Sequence, residues 1–333
     1  MKTITMEKRR LDAEKALRVI RTDGAAFMGS LLVKIFRYAL LIGVSYVAIY
    51  PLLKCLSMSL LSGYEYAGGN YGWIPENPTL LNYVNFKVYF NYWRHAKATM
   101  IYTLVSTAIQ LLIASLVGYG LGRYKFKGNI VVFFCVVATI IVPFQTIQIP
   151  LYASFRYFDF FGIGKLVGLF TGTDLTVSVL NTNWTYYIPA LFGVGLNSGL
   201  FIFLFRQYFR GMPTDLEDAA RVDGCRPLGV YIRIMLPNIK PVLVTVALLS
   251  CIYYWNDYKL SSMFMAAAET QPIMVGVANI LANVYLLHND VLAANLIVQQ
   301  NATMICAVAP LVILFLICQR FFIECMDRSG IKG

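Results

Sequence analysis

Charge is scarce in this chain. Asp, Glu, Lys and Arg make up 14% of its 333 residues, where a soluble domain carries about a quarter. With 58% hydrophobic residues, that shortage excludes an ordinary soluble globule and points to a polytopic membrane protein. Histidine is scarcer still: there are two, His95 and His288, far apart in sequence and read as loop or interface residues. The seven cysteines (Cys55, Cys135, Cys225, Cys251, Cys306, Cys318 and Cys325) have no paired spacing, so neither a zinc site nor a disulfide framework is indicated. No Gly-x4-Gly-Lys-Ser/Thr loop is present, so the chain does not cradle ATP phosphates in that manner. No cluster of nucleophile, base and metal ligands is legible, which removes the signature of a membrane-embedded enzyme. The apolar stretches are almost free of acidic residues apart from Asp257, which argues against an ion-coupled secondary transporter or channel. No metal site, cofactor or nucleic-acid partner is expected.

What the chain does have is a series of long apolar runs. Six are expected to span a bilayer of about 30 Å, at about 31–53, 98–121, 130–152, 187–205, 241–262 and 298–318. Ahead of them, residues 1–28 form a basic, polar leader with no small-residue cleavage site, read as a cytoplasmic tail lying on anionic lipid. Residues 29–333 form the membrane domain. Pro143, Gln145, Gln148 and Pro150 interrupt the third run, which is tolerated where neighbours or a cavity satisfy the freed backbone groups. Gly118 and Gly122, with Gly120 between them, end the second. No strand precedes them, so they read as close helix packing rather than a nucleotide loop. Trp73 and Trp93 suit the membrane interface.

The net charge of +11 is distributed asymmetrically. With the N-terminus inside, the cytoplasmic segments and the span ends beside them hold 21 of the 28 Lys and Arg. The remaining seven are Lys54, Lys87, Arg94, Lys97, Arg156, Lys165 and Lys259. The bias predicts that both termini and the 206–240 loop are cytoplasmic.

That loop overlaps a polar, charged stretch of about thirty residues between two long apolar spans, residues 209–241. Its local chemistry predicts a helix–turn–helix. Thr214 and Glu217 have the spacing of a capping box, and Asp215, Glu217 and Asp218 crowd the positive end of the helix dipole. Gly224 suits a left-handed helix end. Pro227 suits the start of a second helix and Pro237 its stop. Ala219 and Ala220 are small enough for close approach by a partner. By itself this chemistry describes an ordinary cytoplasmic loop.

The spacing adds more. Asp218-Ala219-Ala220, three residues, Gly224, nine residues, then Ile234-Met235-Leu236-Pro237 resembles the EAA loop of ABC-importer permeases, with Asp218 where the family has Glu. The run from Asn77 to Tyr83 and the ending Gly330-Ile331-Lys332-Gly333 also resemble carbohydrate-type, maltose-like members. The resemblance covers nearly the whole chain and is weakest in the tail and at 153–186, which looks longer than in the family by an extra segment around 167–186. It implies an all-α, MetI-like fold with six transmembrane helices in a bacterial plasma (inner) membrane. It also implies an ATP-driven importer with a second permease subunit, two ATP-binding subunits and an extracellular or periplasmic solute-binding protein. The substrate class implied is a carbohydrate, with a non-sugar solute as the alternative. Glu217, Asp218, Ala219, Ala220, Asp223, Gly224, Ile234, Leu236 and Pro237 would then form the surface that docks on the ATPase.

The fifth run also carries Tyr253-Tyr254-Trp255-Asn256-Asp257-Tyr258. On a continued helix Tyr253 and Asp257 would share one face. Two readings fit. Either Tyr253, Trp255, Asn256 and Asp257 line a path for sugars, stacking on rings and binding hydroxyls, or they form an interfacial belt anchoring the helix.

Overall fold

In the computed structural model, the described backbone covers residues 2–69, 72–89, 91–142, 146–172, 176–267, 270–284 and 290–329. His288, 143–145 and 330–333, all singled out above, lie outside the described residues. The chain divides into two compact units, 1–58 and 59–333.

The first unit is helix α1 (Lys2–Ser59). The expected tail and first span are one continuous helix. Residues 1–28 contain no proline and a single glycine, and are rich in Ala, Leu, Lys, Glu and Arg, which favour helix. The segment Ser30–Ser59 is long and apolar enough to cross a membrane.

Among the described residues, the second unit comprises fifteen α-helices. They are α2 (Gly63–Ala67), α3 (Leu81–Tyr89), α4 (Tyr92–Arg123), α5 (Asn129–Ile141), α6 (Gln148–Arg156), α7 (Ile163–Thr171), α8 (Trp184–Leu191) and α9 (Ser198–Arg210), followed by α10 (Asp215–Val222), α11 (Pro227–Val230), α12 (Leu236–Asn238), α13 (Lys240–Trp255), α14 (Lys259–Phe264), α15 (Ile273–Val284) and α16 (Asp290–Ser329). A π turn, Tyr231–Met235, joins α11 to α12. Among the described residues there is no strand, only an isolated bridge between Phe158 and Val177.

Helix α4 organises this unit, packing against α8, α9, α13 and α15. Its inward face is polar and small: Thr99, Thr103, Ser106, Thr107, Gln110, Ala114, Ser115 and Gly118 are buried. Small residues let helix backbones approach, and hydroxyl and amide groups then hydrogen-bond across the seam. Gln110 ties three elements, donating to Leu196 O (2.6 Å) and Ser198 Oγ (2.9 Å) while Ser250 Oγ donates to its Oε1 (2.9 Å). The expected glycine packing is present. A Cβ on Gly118 would meet Phe205 Cβ at 2.6 Å, and one on Gly122 would meet Arg206 O at 3.2 Å. His95 has a structural role, with Nδ1 2.7 Å from Gln271 O. Trp73 and Trp93 are exposed. Asn82, in the run resembling the carbohydrate-type members, donates to Ser59 O and Leu61 O.

Tyr92–Arg123 and Ala293–Phe321 join Ser30–Ser59 as the three described helices long and apolar enough to cross a membrane; Pro227–Asn238 and Lys240–Trp255 reach that length only taken together, and they are bent by 81°. The third, fourth and fifth expected spans are not single helices; the fifth is divided between α13, which ends at Trp255, and α14, which begins at Lys259. The third is divided between α5, which ends at Ile141, and α6, which begins at Gln148. The fourth is divided between α8 and α9 by a turn in which Gly193 and Asn197 both have positive φ (71° and 55°). Pro189 within α8 and Gly193 and Gly195 after it account for that break.

Candidate functional site: the 209–239 loop

The loop follows α9 and lies against the end of α4. Arg123, the last residue of α4, inserts its guanidinium between the end of α9 and the start of α10. Its Nε donates to Glu217 Oε1 (2.7 Å), Nη1 to Met212 O (3.0 Å) and Nη2 to Pro213 O (2.9 Å). Both members of the Arg123–Glu217 pair are buried, with side-chain exposures of 6% and 5%. The other carboxylate oxygen of Glu217 receives Arg221 Nη2 at 3.1 Å, and Arg221 also pairs with Asp218 (3.1 Å). Behind this clamp, the Arg206 guanidinium lies 3.6 Å from the centre of the Phe133 ring, and its Nε donates to Leu121 O. The ends of α4, α5, α9 and α10 are thereby tied together.

The capping box expected at Thr214 and Glu217 does not form. Thr214 is the first cap of α10 but makes no side-chain cap hydrogen bond. The Glu217 carboxylate is held by two guanidinium groups, and charge-assisted bonds of that kind are stronger than the neutral bond a capping box would supply.

The far end of α10 forms as expected. Gly224 takes φ +79°, with Cys225 N donating to Ala220 O and Gly224 N to Arg221 O, both at 3.0 Å. This is the paired 6→1 and 5→2 arrangement of a Schellman end, for which glycine is preferred. Pro227 then opens α11, where its missing N–H costs nothing.

Pro237 does not stop the second helix. The chain runs from Pro227 through the π turn to Asn238, with Leu236 N donating to Tyr231 O five residues back. A proline ring clashes with the carbonyl four residues before it, and the wider π turn leaves room for it. The 81° bend comes at Ile239, with φ −98° and ψ 15°.

The structure separates the expected docking residues into two sets. Asp218, Ala219, Asp223, Gly224 and Pro237 are exposed. Glu217 and Ala220 are buried, while Ile234 and Leu236 are half-buried and pack against the core formed by Phe205, Phe209, Val230, Tyr231 and Met235. Of the two alanines, Ala219 alone faces outward. Sequence reasoning missed four apolar side chains on the open surface, Leu216, Val222, Leu228 and Ile232, which are 40%, 87%, 60% and 51% exposed. Tyr231 supports the loop from below, sharing a 2.7 Å hydrogen bond with Ser115 of α4.

At the other end of α4 lie the residues of the aromatic-polar stretch. Helix α13 ends at Trp255, so Tyr253 and Asp257 do not share a helical face. Asp257 is an internal anchor. Its oxygens accept Leu260 N (3.2 Å) and Ser261 N (3.0 Å) at the start of α14, together with the hydroxyls of Ser261 (3.0 Å) and Tyr186 (2.5 Å). Trp255 is buried and donates to Ala307 O at 2.9 Å, fastening α13 to α16. Tyr253 and Asn256 keep exposed side chains. Tyr186 also stacks on Tyr102 of α4 at 4.9 Å. Tyr102 lies twenty-one residues before Arg123, about 32 Å along a helix.

Residues 98–328 match the family described as "Binding-protein-dependent transport system inner membrane component". The chain is 28% identical over 294 residues to the arabinooligosaccharides transport system permease protein AraQ of Halalkalibacterium halodurans, covering 87% of this chain and 93% of that one. It is 28% identical to the melibiose/raffinose/stachyose import permease protein MelC of Bacillus subtilis, covering 71% of this chain and 74% of that one. Among solved structures, a chain of a bacterial ABC transporter involved in the import of the acidic polysaccharide alginate superposes with a TM-score of 0.67 at 23% identity, over 87% of this chain and 96% of that one.

Proposed function

The chain belongs to the family of binding-protein-dependent transport system inner membrane components, and on that premise we propose that it is a permease subunit of an ATP-driven importer of a sugar or oligosaccharide. The observation that carries this reading is the build of the 209–239 loop. A short helix presents Asp218, Ala219 and Val222 outward, while a buried ion pair fixes its opposite face to the end of α4. An ordinary connecting loop has no need of such a foundation. A surface that receives force does, because displacement of α10 is then delivered to α4 rather than absorbed locally.

In this reading the chain crosses a bacterial plasma membrane six times with both termini in the cytoplasm. Two of the crossings are the broken pairs α5–α6 and α8–α9. It works with a companion permease, two ATP-binding subunits and an external solute-binding protein. The docking surface is Asp218, Ala219, Val222 and Asp223, edged by Leu216, Leu228 and Ile232. Closure of the ATPase pair pushes α10. Arg123 passes the push to α4, whose Gly118–Gly122 face carries α9 with it, and the path alternates between outward and inward access. Tyr253 and Asn256 are the members of the aromatic-polar stretch with side chains free to meet the solute, while Trp255 and Asp257 hold them in place. Relatives named for arabinooligosaccharides and for melibiose, raffinose and stachyose support a sugar as the solute.

The test is co-purification in mild detergent through a tag on this chain, with mass spectrometry of the bound chains and sugar uptake in proteoliposomes. A second membrane chain and an ATPase should be recovered. ATP hydrolysis should require the complex and be absent from this chain alone. Recovery of the chain by itself, or ATPase activity in its isolated form, sinks the reading.

A further inference from the structure

The segment between α6 and α8 is unused by the mechanism above. It forms one wall of an open cleft of about 540 Å³ lined by Tyr157, Phe158, Asp159, Phe161, Lys165 and Phe192, among others. The size falls within the range of small-molecule sites, about 300–1,000 Å³.

The wall of this cleft is built at a cost. Phe160 and Phe161 both have positive φ, 54° and 64°, a region that costs a side-chain-bearing residue roughly 1–2 kcal/mol. The turn is held in that shape by Phe158 and Val177, which exchange two backbone hydrogen bonds (3.0 and 2.9 Å). Asp159 adds to it, its O receiving Gly164 N and its Oδ1 receiving Gly162 N. Burial does not offset the strain, because Phe160 is 50% and Phe161 68% exposed. Phe161 instead sits 4.9 Å from Phe192 and 5.5 Å from Phe158, giving a cluster of rings open to the outside, with Tyr157 beside it 62% exposed. Strained positions persist where they serve a site. The exposed rings leave room for a contact from a molecule outside the chain.

The chemistry of the lining selects that molecule. Lipid tails would favour an apolar surface without a carboxylate, since an acidic group in hydrocarbon is costly. This cleft sets Asp159 and Lys165 among its rings. Pyranose and furanose rings offer the matching surface, with C–H faces that stack on aromatics and hydroxyls that bind a carboxylate or an ammonium. Position agrees. Helix α8, which lines the cleft through Ile188 and Pro189, meets α4 at Tyr102, about a bilayer thickness from Arg123.

Resting on the importer reading, we infer that this cleft is an external carbohydrate-binding site, receiving part of a sugar before it enters the path, with Phe161 and Phe192 as stacking surfaces and Asp159 and Lys165 as hydroxyl ligands. The experiment uses the complex purified through this chain, in lipid nanodiscs and without the solute-binding protein. Raffinose, maltotriose and arabinotriose are the probes, and binding is titrated by saturation-transfer NMR. At least one probe should receive saturation at its ring protons. Its Kd should rise roughly three- to ten-fold in Phe161→Ala and also rise in Asp159→Asn. It should stay unchanged in Leu169→Ala, an exposed position outside the cleft. No transfer to any probe, or equal binding in Phe161→Ala, overturns the site. Loss of the companion chains from Phe161→Ala would make the rings a protein interface and overturn it as well. Uptake measured alongside separates the two readings: uptake without cleft binding removes the cleft alone, and cleft binding in a complex that imports no sugar removes the importer alone.

Discussion

Arg123 Nε donates to Glu217 Oε1 at 2.7 Å, and both side chains are buried. Ninety-four residues separate the two, so the bond joins the end of a long helix to the element proposed to receive the ATPase. Removing Glu217 strands the buried Arg123 guanidinium, a loss of about 3–5 kcal/mol. Removing Arg123 leaves Glu217 with the half-exposed Arg221 alone, a smaller loss. Replacing both members with apolar groups is often close to neutral. Glu217→Ala is therefore expected to lower the thermal stability of the purified complex markedly, and Arg123→Ala to a smaller extent. The double variant Arg123→Leu with Glu217→Leu should recover most of it. If the pair also carries motion, uptake stays low in the double variant despite the restored stability. Single variants melting with the wild type would show that the clamp is not a structural foundation.

Gly224 faces open space, and a Cβ added to it would meet nothing within 4 Å, yet its φ is +79°. The penalty at this position is one of backbone conformation and not of room. Gly224→Asn should be mild because Asn tolerates the left-handed region, and Gly224→Val should cost more because a β-branched residue resists it. Uptake and transport-linked ATP hydrolysis are expected to fall in the order wild type, Asn, Val, with membrane insertion unchanged. Equal uptake in all three would show that the left-handed end of α10 is not needed for coupling.

The two alanines of the motif should part company. Ala219 is exposed, and Ala220 is only 6% exposed within the core that includes Tyr231 and Met235. Ala219→Trp is expected to leave the chain folded and block recovery of the ATPase subunit. Ala220→Trp overpacks a core and should cost about 1–3 kcal/mol or more, visible as a lower melting temperature of the solubilised chain. The reverse pattern would mean that α10 presents the opposite face to its partner.

The charge bias predicts an orientation that reporter fusions can check. Reporters fused after Lys127 and after Gly224 should report cytoplasm, and one at Gly172 should report the exterior. Gly172 closes α7 with open space around it, so an insertion there is tolerable. A cytoplasmic signal at Gly172 would refute the six-crossing arrangement and the external cleft together.

What was legible in the sequence was local. Gly224 announces a left-handed helix end because few other residues go there, and Gly118 and Gly122 announce close packing by lacking a Cβ. Arg123 was not legible as a clamp. In sequence it is one of several basic residues after a span, and the carboxylate it binds becomes its neighbour only after α9 folds back along α4. Pro237 misled for a similar reason. A proline normally ends a helix, but the π turn at Tyr231–Met235 accommodates its ring, and nothing local signals such a turn. The apolar run around Asp257 hid a helix end, and its carboxylate turned out to serve the backbone of α14 instead of a shared face with Tyr253.

That last separation yields a prediction about the path. Four residues of one stretch, Tyr253, Trp255, Asn256 and Asp257, have two different environments. Trp255 is buried with its indole N–H on Ala307 O. Asp257 accepts four hydrogen bonds from Leu260, Ser261 and Tyr186. Truncating either leaves buried polar groups unsatisfied, at about 1–3 kcal/mol for each stranded group. Trp255→Ala and Asp257→Ala should therefore destabilise the purified chain, and any loss of uptake should track the loss of folded protein. Tyr253 and Asn256 are exposed, so Tyr253→Ala and Asn256→Ala should melt with the wild type. If these two face the solute, their uptake falls, or their preference among sugars shifts, in complexes of full stability, because stacking and hydroxyl contacts are lost without harm to the fold. Normal uptake and unchanged preference in both would return Tyr253 and Asn256 to an interfacial belt, where an aromatic or amide group touches headgroups and water and its loss does not alter transport.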